Sequence, residues 1–273
     1  NTSWTMNGHL DINAVSGQVL SHNISGSTMF LTGTAHVSGN SGWSARTEVA
    51  GQITIATDSH LRFSGGDLLH PNLMSGGTIE GPGTLGSLTD QKLAGHGTIH
   101  SKIQFLTNSE LRADNGTLTL GPAAELLAVG TIGTDDNDGI LDVQHAWNTD
   151  VAATALELNG GQVIGADLVN GGTTRGFGRI APNSFVNQGL LQPLGGELVI
   201  DSTANPDLDG GLLFSSGDIN ASQGDLRVTK PLSDVFNSSL TIGPGHRATF
   251  EQGWTLAHSA IGLVPSGSLH LNG

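Results

Sequence analysis

Two long stretches of this 273-residue chain repeat one pattern. Residues 95–120 read GHGTIHSKIQFLTNSELRADNGTLTL, and residues 176–200 read GFGRIAPNSFVNQGLLQPLGGELVI. Both begin with Gly-x-Gly-x-Ile, continue through Asn-x-x-Leu, and end in Gly-x-Leu-x-Leu or Gly-x-Leu-x-Ile, about 80 residues apart. Because a chain that repeats itself in this way stacks similar units instead of closing one globular core, the pattern predicts a solenoid.

The smallest repeated unit is a five-residue segment in which two apolar residues stand two positions apart. Examples are GQITI ending at Ile55, GTLTL ending at Leu120 and GELVI ending at Ile200. Successive side chains of a strand point to opposite faces, so this spacing predicts half-buried β-strands. The residues predicted to point inward include Leu10, Ile12, Leu118, Leu120, Leu198, Ile200, Leu226 and Val228.

These units predict an all-β fold, a parallel β-helix (β-solenoid) that forms a single rod. The predicted domain organisation is one continuous solenoid over residues 1–273, with long repeats at 76–120 and 160–200. We expect roughly 10–13 coils that rise about 4.8 Å each. The segment PAAELLAV, from Pro122 to Val129, breaks the pattern, and both a short helix and a further strand fit it. Outside that segment the helix content should be near zero.

Glycine marks the predicted corners between strands. It accounts for 41 of the 273 residues, about twice the average usage. Pairs such as Asn115-Gly116 supply the positive φ values at which strands turn. The segment from Gly81 to Gly86 formally matches the dinucleotide-binding fingerprint, but it lacks the strand and helix context of that motif. We therefore predict that it is another corner of the repeat.

Charge and composition exclude several classes of function. The chain has 10 Lys and Arg residues against 24 Asp and Glu, a net charge of −14. Clusters of Lys and Arg bind nucleic acids and anionic membranes, so neither partner is expected. No apolar run is long enough to cross a bilayer, so no membrane insertion is expected. The chain has no Cys, and its stability must come from ladder hydrogen bonds and packing.

The order of the motifs Gly-x-Gly-x-Ile, Asn-x-x-Leu and Gly-x-Leu-x-Leu resembles the repeats of exported bacterial β-solenoids. These include autotransporter passenger domains and filamentous-haemagglutinin-like surface proteins. The resemblance covers most of the chain and is best at residues 76–120 and 160–200. It implies a right-handed parallel β-helix that lies outside the cell or at the cell surface of a bacterium.

Repetition without a catalytic constellation predicts an extracellular structural or adhesive protein rather than an enzyme. A fibre, a stalk and a surface-layer building block all fit this prediction. One alternative is a carbohydrate-active or carbohydrate-binding β-helix, such as a polysaccharide lyase or hydrolase whose acidic loops line a groove. A phage-type fibre that binds a receptor is another. Surface carbohydrate is accordingly an expected partner.

The end of the sequence suggests a second partner, namely the chain itself. Residues 268–273 (SLHLNG) match residues 155–160 (ALELNG), which lead directly into the second long repeat. We therefore expect further coils after this point, either in the same polypeptide or from another copy that docks head to tail. Such a head-to-tail contact would build a filament. A fragment with frayed ends is the alternative.

The first candidate metal site is an acidic loop. Asn205, Asp207 and Asp209 alternate before Gly210, as oxygen ligands do in the front half of an EF-hand loop. The glutamate that closes such a loop is missing, because Ser216 occupies its position. A solvated acidic turn is the alternative, since short motifs of this kind also recur by chance.

The second candidate metal site is formed by Asp135, Asp136 and Asp138, which precede Gly139. Clustered carboxylates repel each other unless a cation or water lies between them, and the alternative is again a solvated turn. Apart from weakly bound calcium at these loops, no cofactor is expected. Three histidines are predicted at outward strand positions, without a metal-binding role: His9, His60 and His270.

We expect at most weak calcium binding at Asn205, Asp207 and Asp209. The missing closing carboxylate and the rigid Pro206 both lower the affinity of this loop for the ion. Calorimetric titration of the chain with Ca²⁺ measures that affinity directly. A dissociation constant below one micromolar would contradict the prediction.

Overall fold

The chain forms an all-β parallel solenoid of about 10 turns, which confirms the predicted fold class. It divides into two compact units, unit 1 (Asn1–Ile132) and unit 2 (Gly133–Gly273). The computed structural model of the protein describes residues 3–6, 9–13, 19–22, 28–87, 89–106, 108–202, 213–215, 217–230, 232–236, 239–252, 254–257, 260–263 and 266–271.

Unit 1 is built from short strands that lengthen toward its end. In chain order they are β1 (Ser3–Met6), β2 (His9–Asn13), β3 (Val19–His22), β4 (Thr28–Leu31), β5 (Thr34–Ser38), β6 (Asn40–Trp43), β7 (Arg46–Val49), β8 (Gln52–Ile55), β9 (His60–Phe63), β10 (Asn72–Glu80), β11 (Thr84–Ser87), β12 (Lys92–Ile99), β13 (Lys102–Gln104), β14 (Glu110–Leu120) and β15 (Leu126–Thr134).

The strands of unit 1 stack in parallel on three faces. Face 1 consists of β1, β4, β7 and the first parts of β10, β12 and β14. Face 2 consists of β2, β5, β8 and the second parts of the same long strands. Face 3 consists of β3, β6, β9, β11, β13 and β15. One coil therefore contributes one segment to each face.

Unit 2 continues with the same kind of element. In chain order its elements are β16 (Ile140–Val143), β17 (Trp147–Asn148), α1 (Thr149–Ala152), β18 (Ala153–Gly165), β19 (Leu168–Asn170), β20 (Thr173–Pro182), β21 (Phe185–Asn187), β22 (Leu190–Ile200), β23 (Leu213–Ser215), β24 (Asp218–Ala221), β25 (Gln223–Val228), β26 (Leu232–Phe236), β27 (Ser239–Ile242), β28 (Arg247–Phe250), β29 (Trp254–Ala257), β30 (Ala260–Leu263) and β31 (Ser268–Leu271).

The strands of unit 2 also stack in parallel on three faces. One face runs through β16, the second parts of β18, β20 and β22, and then β25, β28 and β31. Another runs through the first parts of those long strands, then β24, β27 and β30. A separate sheet contains β17, β19, β21, β23, β26 and β29.

Glycine occupies the bends of the long strands, as the repeated Gly-x-Gly motif predicts. Gly95 in β12 and Gly176 in β20 have φ values of 122° and 110°. A Cβ atom at Gly95 would lie 2.0 Å from the carbonyl oxygen of Met74, and one at Gly176 would lie 1.9 Å from that of Leu158. Any side chain at either bend would push the neighbouring coil away. Gly81, at φ 105°, confirms the predicted corner in the same way.

The apolar positions of the five-residue unit form the core. In the part of the core that the structure describes, six of the predicted inward residues are at most 3 % exposed: Leu118, Leu120, Leu198, Ile200, Leu226 and Val228. Leu10 and Ile12 lie in β2, but their side chains fall outside the described part of the structure. On face 3 of unit 1, Trp43 packs against Phe63 with ring centroids 5.8 Å apart.

The segment from Pro122 to Val129 continues as a strand. A turn at Pro122 and Ala123 leads into β15, and Leu126 pairs with Ile103 of the preceding coil. Ladder pairing with that coil outweighs the helix-favouring residues of the segment, because short apolar runs have no strong preference of their own.

The single helix of the described residues, α1, was not predicted. It has four residues, and Asn148 caps its start by accepting a hydrogen bond from the Asp150 amide at 2.9 Å. An asparagine before the first turn is a favoured helix cap, since its side chain satisfies a free backbone amide. A four-residue helix is too short to show the apolar periodicity by which a helix is recognised in a sequence.

Leu198→Ala should lower the free energy of unfolding by about 2–5 kcal/mol, because Leu198 is fully buried and its removal leaves a cavity. Val199→Ala is the matched control, since Val199 is the next residue of β22 and points outward. We expect that change to cost less than about 1 kcal/mol. Urea denaturation of the two variants measures both values, and a cost below about half a kcal/mol for Leu198→Ala would contradict its inward assignment.

Candidate functional site

Only one of the two predicted metal loops lies among the described residues. Asp135 and Asp136 are half-buried and Asp138 is exposed, in the turn that joins β15 to β16. Among the described residues, no three His, Asp or Glu side chains are placed to hold one metal ion. The first loop, with Asn205, Asp207 and Asp209, lies outside the described residues, so calcium binding there stays a prediction.

A buried ladder of amide side chains holds the coils of unit 2 together. The Asn170 amide nitrogen donates to Asn187 Oδ1 at 2.7 Å and to the Leu190 carbonyl at 3.1 Å. Its oxygen accepts from the hydroxyls of Thr149 at 3.0 Å and Thr174 at 2.9 Å. A fully satisfied buried network rigidifies the stack. These side chains therefore serve the scaffold and are not available to a ligand.

The matching asparagines of the two long repeats have different roles. Asn187 is buried in this ladder, at the end of β21. Asn108 of the first repeat is exposed and has a φ of 60°, in the turn before β14. Asparagine suits both places, because it tolerates a positive φ and can also form amide ladders. The sequence match alone does not distinguish these roles.

Several ion pairs join neighbouring coils on the outer surface of unit 2. Arg175 Nε lies 3.0 Å from Glu157 on the adjacent strand. Arg227 lies between two carboxylates, 3.3 Å from Glu197 and 3.5 Å from Glu251 on the coils to either side. Because each of these cations already has a carboxylate partner, this surface is suited to joining coils more than to binding an anion.

A third ion pair of unit 2 is the most strongly connected. Arg179 donates to Asp201 through Nε at 3.1 Å and also through Nη2. The Thr229 hydroxyl donates to the other oxygen of the same carboxylate. The Thr229 hydrogen bond, and then the Arg179 guanidinium, hold the pKa of Asp201 below its usual value. This cluster joins three successive coils.

Unit 1 carries two hollows on its outer side, a smaller one on face 3 and a larger one at the bend between faces 2 and 3. The smaller hollow, of about 180 Å³, is lined by Asn40, Ser41, His60 and Arg62. The larger hollow, of about 470 Å³, is lined by Glu80, Gly81, Pro82, His100, Lys102 and Ala123.

Strand register places the two hollows along one column. Asn40 pairs with His60, His60 with Thr84, and Thr84 with Lys102 on four successive coils. Successive coils lie about 4.8 Å apart. The column runs from the smaller hollow to Lys102 in the larger one, and we name it the face 3 column.

The larger hollow combines an acid, an imidazole and an amine. Glu80 accepts a hydrogen bond from Gln52 Nε2 at 2.7 Å, and Lys102 Nζ lies 3.3 Å from Glu125. The His100 ring occupies the space over Gly121, where a Cβ would lie 1.9 Å from its Nδ1. Both charged groups already have partners, so a ligand here would compete with them.

Sequence reasoning found part of this surface. His60 and His270 were predicted at outward positions, and the structure places them there, half-buried and exposed respectively. The side chain of His9 lies outside the described part. The hollows were not predicted, because their residues are about 20 positions apart along the chain and adjacent only after stacking. The usable signal was SHLRF, whose alternation puts His60 and Arg62 on one side of β9.

Among the described residues, no helix has the length and apolar character needed to span a membrane. Comparison of the chain with protein-family models, with curated proteins and with solved structures finds no match.

Asp201→Asn should lower the free energy of unfolding by about 1 kcal/mol at neutral pH, because it weakens both the Arg179 pair and the Thr229 hydrogen bond. The folded-state pKa of Asp201 lies below the ordinary aspartate value of 3.8. Its stabilisation is therefore present above that value and is lost as the pH falls through the folded-state pKa.

Urea denaturation of the wild type and Asp201→Asn between neutral and strongly acidic pH tests this expectation. The difference between them should shrink as the carboxyl group protonates. Asp167→Asn is the control, since Asp167 is an exposed carboxylate of the same unit. A difference that stays constant with pH would contradict the role assigned to the Asp201 charge.

Proposed function

We propose that this chain is an extracellular structural or adhesive β-solenoid, in which the coil stack is a scaffold and the outward positions make contacts. The observation that carries this proposal is the contrast between the two sides of face 3. The inward side is a stack of apolar residues in register, all of them fully buried: Leu61, Leu85 and Ile103. On the outward side, the residue type of the face 3 column differs at every coil, from Asn40 through His60 and Thr84 to Lys102. A scaffold of this kind keeps its fold while its surface varies.

The structural part of the proposal is supported by how the coils of unit 2 are joined. The buried ladder around Asn170 and the surface pairs around Arg179 and Arg227 each connect neighbouring coils. Repeat proteins gain their stability from such nearest-neighbour interfaces. Ladders that join each coil to the next suit a stalk or a fibre.

The proposed location, outside a bacterial cell, is supported by the resemblance of the repeats to those of exported bacterial solenoids. Surface carbohydrate is the partner that the polar hollows of unit 1 suit best, since sugar hydroxyls need closely placed donors and acceptors. Head-to-tail assembly of this chain stays a prediction.

A carbohydrate-active β-helix is the second candidate function. The larger hollow favours it, because Glu80, His100 and Lys102 line one cavity. Carboxylates, imidazoles and amines are the groups that transfer protons in general acid–base catalysis. Glu80 and Lys102 already have partners, which favours binding over catalysis.

Beads coated with the chain should be retained on surfaces that carry cell-surface polysaccharides, without releasing new reducing ends or unsaturated products. A panel of polysaccharides, with bead retention and product release measured together, tests the proposal. The complete absence of retention would contradict an adhesive role.

Product release that Glu80→Gln abolishes would overturn the proposal in favour of the second candidate. Glu48→Gln is the matched control, since Glu48 is also an outward glutamate of unit 1 that accepts a hydrogen bond, here from Ser75 at 2.9 Å. Release that survives both substitutions would indicate a contaminating enzyme.

A further inference from the structure

The smaller hollow contains polar groups whose bonding capacity the fold leaves unused. Asn40 Oδ1 is enclosed and accepts no hydrogen bond. Arg62 lines the same hollow, and no carboxylate in the described part of the chain pairs with it. An enclosed acceptor without a donor is energetically unfavourable. A ligand that brings a hydroxyl and an anionic group would satisfy both side chains.

Arg62 differs in this respect from most arginines of the chain. Arg46 donates to the Pro71 carbonyl at 2.8 Å, and the guanidinium groups of Arg112, Arg175 and Arg179 each contact a carboxylate. The chain has a net charge of −14. An outward guanidinium that has no carboxylate partner is therefore a place where an anion can bind favourably. Its planar fork can bind a carboxylate through two parallel hydrogen bonds.

Glycine keeps the surroundings of Arg62 open. Gly42 on one adjacent coil and Gly86 on the other are its register partners. A Cβ at Gly86 would lie 3.2 Å from Arg62 Cγ, so the stem of Arg62 lies close over that glycine. Because neither neighbour has a side chain, the guanidinium is not screened from the side by an adjacent coil.

The size of the hollow limits what it can hold. Pockets for drug-sized ligands enclose about 300–1,000 Å³, whereas this one encloses about 180 Å³. That volume suits one ring-sized group. His60 adds a flat, polar side chain to the lining, and rings with several hydroxyls pack well against such groups. A single sugar residue fits these limits.

The face 3 column defines the path that a longer ligand would follow from the smaller hollow. An extended polysaccharide that follows the column meets a new coil about every 4.8 Å, a distance similar to the advance of one pyranose residue. Beyond His60 it would pass the nearly buried Thr84 and reach the larger hollow, where Pro82 and His100 offer surfaces for further rings. Lys102 of that hollow is paired with Glu125, so an acidic sugar there would have to compete with this carboxylate. Glu80 is the opposing charge in that hollow.

We propose that the smaller hollow binds a carboxylate-bearing sugar residue of an extended acidic polysaccharide, with Arg62 holding the carboxylate and Asn40 accepting from a hydroxyl. This inference rests on the proposed adhesive function and names its ligand class. His60 completes the lining, and the face 3 column continues the contact toward Lys102.

Calorimetric titration of the full chain with short oligogalacturonate, oligomannuronate and hyaluronate fragments tests the proposal. The methyl ester of the oligogalacturonate is the matched probe, because it keeps the ring and removes the charge. We expect at least one acidic probe to bind, with an affinity that falls as salt rises, and the ester to bind at least about tenfold more weakly.

Arg62→Gln should reduce the affinity for the acidic probe about tenfold or more, and Arg62→Lys by less, because lysine keeps the charge and loses the fork. Arg247→Gln is the matched control, since Arg247 is an exposed arginine of β28 in unit 2 whose loss changes the net charge equally. It should leave the affinity unchanged. Asn40→Ala is a second test of the same hollow, and it leaves the net charge of the chain unchanged.

Equal binding of the acid and its ester, or equal loss with Arg62→Gln and Arg247→Gln, would overturn the proposal. So would a wild-type chain that binds none of the acidic probes. If that chain were still retained on other polysaccharide surfaces, the adhesive function would stand and only this site would fail. Circular dichroism of each variant confirms that the coils remain folded.

Discussion

Each coil of this protein stacks closely and in parallel on the next, and this spacing limits which residues can occupy every position of the coil. Strand backbones in register lie about 4.8 Å apart, and at the bends this spacing leaves no room for a side chain. A Cβ at Gly95 or Gly176 would lie within 2.0 Å of a carbonyl oxygen of the preceding coil. The glycines of the repeat are therefore a condition for stacking.

Stacking also determines which side chains stabilise the protein. Identical positions of successive coils lie above one another, so apolar residues form columns such as Leu61, Leu85 and Ile103. Buried polar residues must find partners within the same columns, as Asn170 and Asn187 do. Stability arises from many neighbour contacts of similar kind, as in other repeat proteins.

The outer surfaces of the two units use this geometry differently. In unit 2, arginines such as Arg227 lie between carboxylates of adjacent coils and connect them. On face 3 of unit 1, Arg62 has glycines as register partners, and the column contains an amide, an imidazole and a hydroxyl. Cations that join coils cannot also hold a ligand without losing those contacts. Among the described residues, Arg62 therefore takes no part in the ion pairs that join neighbouring coils.

The parallel solenoid, the inward residues such as Leu198 and the glycine bends could be predicted from the sequence, because strand alternation and repetition are local properties of the chain. It also placed His60 at an outward position of its strand. The stacking of coils was needed to establish that Pro122–Val129 leads into a strand, that Asn187 is buried while Asn108 is exposed, and that Asn40 and Arg62 line one hollow. These outcomes depend on which residues stacking brings together, and loop lengths between coils set that register.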